Sequence, residues 1–177
     1  ADSTKTLGVD GGTIKLDGNY PTGTGNVALG DTALDSVAAS GNNNTAVGSN
    51  AGTAITTGDN NTLIGSLAGD ALDAGGNNVA IGFRALSAED GHGTNIAIGS
   101  DALKVQNAGT NAYNIAIGHD AGKAVSTGVK NTLIGGSAGD SLTTNGLNVA
   151  VGYGALSTED TGSRNVAIGV SALSSQN

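Results

Sequence analysis

Asn78-Val79-Ala80-Ile81-Gly82 is the stretch that decides the fold. Side chains on a strand alternate between faces, so Val79 and Ile81 share one face and Ala80 takes the other. One short strand follows, and Gly82 permits a bend that a residue with a Cβ would resist. The same order (Asn, a β-branched residue, Ala or Leu, a large aliphatic, Gly) begins at Asn26, Asn44, Asn61, Asn78, Asn95, Asn114, Asn131, Asn148 and Asn165. Spacings of 17 residues, with single exceptions of 18 and 19, separate the copies, and an Ala stands seven residues after every Asn. Self-similarity at a fixed short period is the signature of a solenoid, in which each repeat buries its apolar face only by stacking on its neighbours.

The fold expected is therefore all-β, a parallel β-solenoid of about nine rungs of roughly 17 residues over 26–177. The Ala-Leu pair at Ala85 and Leu86 opens a second stretch returning toward the core, and the polar segment 87–94 climbs to the next rung. At a rung spacing of about 4.8 Å the rod is roughly 43 Å long. A longer repeat overlies the short one, because 44–107 matches 114–177 at an offset of 70 residues. Residues 1–25 lie outside the pattern and are read as a capping or connecting segment over the open first rung. The block ends at a rung boundary, so the chain is expected to be a section of a longer fibre protein.

Stacking turns the interior into columns of like residues. The column three after each Asn (Leu29, Val47, Ile64, Ile81, Ile98, Ile117, Ile134, Val151, Ile168) is never polar, and it is expected to be the core. The Asn column, including Asn44, Asn61 and Asn78, is expected to form an amide ladder, with Gly48, Gly65 and Gly82 as turn residues. The column two after each Asn should then face away from the core, yet it too is wholly apolar. Ala46, Leu63, Ala80, Leu133 and Ala150 are accordingly expected to be covered by neighbouring chains, since a solvated face would drift toward polar residues.

Glycine makes up 31 of the 177 residues and aromatics only 2%, so the core must be thin. The in-register apolar pairs exclude a flexible Gly-rich linker. A formal charge of −8 disfavours nucleic acid and anionic lipid as partners. No apolar run approaches the roughly 20 residues of a membrane-spanning helix, and no Cys is present to form disulfides.

These repeats resemble the head domain of YadA-like trimeric autotransporter adhesins and related repeats of bacteriophage tail fibres. The resemblance covers about 26–177. It implies a left-handed β-roll, a homotrimer wound about a threefold axis, and an adhesive or structural role on a virion or otherwise outside the cell. The repeat is longer than the usual adhesin-head unit and no neck or coiled coil follows, which favours the virion fibre over a bacterial adhesin head. The expected partners are further copies of this chain and a host cell-surface glycan or protein receptor.

The chemistry-bearing residues are few. Glu89-Asp90 recurs as Glu159-Asp160, but neighbours in a loop do not flank one glycosidic bond from opposite sides, so a solvated corner is the simpler reading. His92 and His119 fall in different slots, with no Cys or second His to complete a metal site, and they are read as surface residues. Asp70 and Asp140, in matched AGD triplets, are read as turn residues bonding their own backbone. No enzyme, cofactor or metal is expected. The slot after the turn Gly varies most, and Phe83, Arg84, His119 and Tyr153 in and beside it are the candidates for receptor binding. An ice-binding rod is the reading from another class, weakened because Thr45, Thr62 and Thr132 interrupt a column that is otherwise Val and Ile.

Overall fold

The computed structural model describes residues 23–158 and 162–175. The capping segment, Glu159 and Asp160 fall wholly or mainly outside this range. Nine three-residue strands form one parallel sheet in sequence order: β1 Val27–Leu29, β2 Thr45–Val47, β3 Thr62–Ile64, β4 Val79–Ile81, β5 Ile96–Ile98, β6 Ile115–Ile117, β7 Thr132–Ile134, β8 Val149–Val151 and β9 Val166–Ile168. Each pairs in register with the next, so that Val79, Ala80 and Ile81 lie beside Ile96, Ala97 and Ile98. The chain is a β-solenoid.

The register is held from both ends of each strand. At the start, the Oδ1 of one Asn accepts the backbone N–H of the next: Asn61 Oδ1 from Asn78 N at 2.9 Å, Asn114 Oδ1 from Asn131 N at 2.8 Å, and Asn131 Oδ1 from Asn148 N at 3.0 Å. The Nδ2 of these side chains ties the strand to its own returning loop, as in Asn61 to Gly75 O at 2.9 Å and Asn114 to Gly128 O at 2.7 Å. At the end, Gly82 has φ +131°, and a Cβ there would lie 2.5 Å from the carbonyl oxygen of Gly99 one rung on. Only glycine lets the rungs close to this distance.

The interior corrects the expected facing of the sheet. Ala46, Leu63, Ala80, Leu133 and Ala150 are fully buried inside the single chain, so they are core residues and not a surface left for other chains. The column expected to be the core points outward, with Ile64 39%, Ile117 37% and Ile168 70% exposed. Alternation reveals which residues share a face but not which face is inside. The physical reason is width: the strand faces the tight turn carrying Ala85 and Leu86, both 0% exposed, and the gap admits a small residue opposite a Leu but not two large ones.

The exceptions obey the same rule. Where the strand carries Leu63 or Leu133, the turns facing it carry glycine. A Cβ on Gly52 or Gly69 would come within 2.8 Å of a Leu63 methyl, and Gly122 and Gly139 stand in the same relation to Leu133. One leucine thus fills the space of two missing turn side chains. Leu133→Ala should cost about 2–5 kcal/mol, because the glycines around it cannot fill the cavity. In denaturant unfolding of the monomeric chain, Ile134→Ala, one residue on and facing out, should cost much less; equal costs would overturn this assignment of faces.

Candidate functional site

Two regions of the rod carry groups that the fold itself does not require. The first is the outward sheet face. Its central columns are apolar, and they are bordered by the residues before each Asn and after each turn Gly. Tyr113 and Leu147, on the first border, are 52% and 44% exposed and hold φ of +54° and +66°. This left-handed conformation is unfavourable for bulky residues and is served better by Asn or Gly; Asn43, Asn60 and Asn77 occupy the same slot in other rungs. A shallow groove on this face is lined by Val79, Ile96, Ile115 and Tyr113.

The second border holds the sequence-predicted recognition residues. Phe83 and Tyr153 are exposed, in equivalent slots of rungs four apart, hence about 19 Å from one another at the usual strand spacing. Arg84 lies 4.6 Å from the centroid of the Phe83 ring, within cation–π range, and its Nε is 3.0 Å from Asp101 Oδ1. His119 Nδ1 lies 3.4 Å from Asp120, which also pairs with Lys123 at 3.3 Å. The four residues thus share one edge of the rod but do not converge on one pocket.

The second region centres on Glu89, which the structure places in the interior and not in a solvated corner. Eleven residues after each Asn comes an inward column: Val37, Ile55, Leu72, Glu89, Gln106, Val125 and Leu142, every one buried. Glu89 and Gln106 therefore stand where other rungs place aliphatic side chains. Neither oxygen of Glu89 has a well-formed hydrogen bond. Gln106 Oε1 accepts Asn114 Nδ2 at 2.8 Å, while its own Nε2 has no partner. His92 Nδ1, also buried and without a hydrogen bond, is 4.0 Å from Glu89 Oε1. Counting eleven residues from Asn78 would have revealed the burial; inspecting the loop's polarity could not.

Burial pushes the Glu89 carboxyl up from 4.5 to about 7, with the adjacent Asp90 charge adding to the rise and the His92 backbone N–H opposing it. Asp90 is exposed and is held below the ordinary value by the Gly91 N–H. Burial also raises the carboxyls of Asp70 and Asp140. Glu89 is fully buried, whereas a carboxyl acting on a glycosidic bond must reach it.

No helix among the described residues is long and apolar enough to cross a membrane. The chain matches no family model, and no curated protein or solved structure is significantly similar to it.

A carboxyl whose pKa rises on folding holds its proton longer in the folded state. Its effect on stability is then most favourable below about 4.5 and is lost as pH rises through about 7. Thermal midpoints in chelator-treated buffer should fall across this window, and Glu89→Gln should flatten much of the fall. A variant whose profile parallels that of the parent chain would show that Glu89 does not titrate in this way.

Proposed function

We propose that the chain is a rod segment of a homotrimeric extracellular fibre, of the virion tail-fibre kind, serving as a structural and adhesive element that carries or displays recognition of a host surface. The observation that supports this most is the outward sheet face. It keeps one wholly apolar column along nine rungs and, beside it, a column that is Val or Ile in six of them, although the interior of the chain is already filled by the opposite face. A contiguous exposed apolar strip of this length marks an interaction surface. Copies of the same chain are its natural partner, because the strip repeats with the rung period and a second rod presents the same period.

The inverted facing strengthens this reading. The apolar columns of the sequence call for a covered second face, and it is the larger side chains, not the alanines, that point outward. Tyr113 and Leu147 are held at unfavourable backbone angles beside the strip, which makes sense if their side chains contact a neighbour. Phe83 and Tyr153 then border the interface, placed to complete it or to meet a receptor. An adhesin head on a bacterial surface would use the same rung and the same strip. An ice-binding plane fits less well, since Thr45, Thr62 and Thr132 are the only threonines in their outward column.

Light scattering of the purified chain should give three times its 16.9 kDa mass. Ile98→Lys, in the middle of the strip, should shift the monomer–trimer balance by about a hundredfold or more, as burying one isoleucine in each of three subunits is worth about 1.5–3 kcal/mol apiece. A chain that stays monomeric at high concentration, or a variant that assembles as well as its parent, would sink the proposal.

A further inference from the structure

We propose that Glu89, Asp90 and His92, in the loop joining β4 to β5, form a binding site for one divalent transition-metal ion of the zinc class. One ligand atom from each of the three residues lies within 4.8 Å of the others. Acidic clusters are common on protein surfaces, but this one includes a side chain that a solvated cluster would lack. Glu89 is 0% exposed, stands in a core column that is aliphatic in every other described rung but that of Gln106, and leaves both oxygens without a well-formed hydrogen bond.

A buried carboxylate in this position must lose its charge, gain donors or gain a cation. The nearest candidate partner is His92 Nδ1, itself buried and unbonded, at 4.0 Å. That gap is too long for a hydrogen bond. Two donors sharing one tetrahedral ion at about 2.0–2.2 Å from each would lie about 3.3–3.6 Å apart, so a closure of about half an ångström would bring both onto it. Asp90 is exposed, so a side-chain rotation brings its carboxylate in as the third ligand, and water completes the shell from the open side. The unbonded Asn95 Nδ2 and Gln106 Nε2 of the next rung are donors and offer the ion nothing.

The donor set decides the class of ion. One imidazole with two carboxylates suits zinc and its neighbours, whereas calcium and magnesium prefer all-oxygen shells. Two negative charges near the middle of an acidic rod also favour a divalent cation. The second block repeats Glu159 and Asp160 but places Gly162 where the first has His92, so the sequence does not repeat the three-residue set. Binding would pin the climbing loop to the core at the fourth rung.

The test is calorimetric titration of zinc chloride into the full 177-residue chain, with calcium chloride in parallel. One zinc per chain is expected, with no comparable calcium binding and a rise in thermal midpoint on zinc addition. His92→Gly, which installs the residue of the second block, and Glu89→Leu, which restores the aliphatic column, should each weaken zinc binding at least tenfold and abolish the thermal shift. Circular dichroism checks that each variant keeps its fold, and a variant that does not is set aside in favour of the other. No saturable zinc uptake, calcium bound as well as zinc, or a folded variant with undiminished affinity would overturn the site.

Discussion

The constraint on which the rest of this structure depends is the asparagine at the head of every rung. Its Oδ1 accepts the backbone N–H of the next asparagine, and its Nδ2 reaches the carbonyl of the returning loop in rungs such as that of Asn61, though not in that of Asn95. Both groups are buried, and a buried backbone N–H or C=O left unpaired costs about 1–3 kcal/mol. No strand longer than three residues is present among the described residues, so the ladder of backbone bonds is too short to set the register by itself. The asparagine column sets it at one end of each strand, and the close approach of glycines such as Gly82 and Gly99 sets it at the other. In-register stacking then makes every other position a column.

Once positions are columns, the width of the coil governs their composition. A small residue on the strand accompanies a leucine on the turn in five rungs; in the other four the turn carries glycine, and Leu63 and Leu133 fill the space left on their own rung and on that of Ala46 or Ala116 before it. The eleventh position follows the same economy of space. It is aliphatic at Ile55, Leu72, Val125 and Leu142, in rungs whose turn carries glycine, and polar at Glu89 and Gln106, in rungs whose turn carries Leu86 and Leu103. At this position polar side chains are therefore buried only where a turn leucine supplies apolar volume, although the rung of Leu34 keeps the aliphatic Val37. This confines the buried carboxylate to rungs able to hold it without losing the core.

The period, the number of rungs and the strand positions were legible in the sequence, because they follow from which residues recur. The sense of the sheet was not. Val79 and Ile81 plainly share a face, but alternation has no sign, and the habit of placing the larger aliphatics inside gave the wrong one. The exchange of Leu63 against Gly52 and Gly69, repeated at Leu133, carried the missing information, since only residues that touch need trade volume. Thr62 and Thr132 vary with those leucines as well, but they point outward and say nothing about packing inside. Glu89 was misread for a related reason: a polar residue in a polar loop suggests solvent, and only its count from Asn78 places it beneath Leu72.

The inward residues are accounted for by the width of a single coil, so what the outward face retains must answer to something else. A rod in water alone would be free to place Asn at positions with left-handed φ and polar residues along the strands; 77 and 60 use that freedom, 113 and 147 do not. The apolar strip and the bulky residues beside it lie on the same side, and one requirement, contact with another surface of the same repeat, covers both. The polar, variable climbing loops are on the remaining flank, free of that requirement. The proposed fibre would use this division, with one flank to assemble along its length and another to vary, and the phase of a three-residue strand is enough to assign each column to its side.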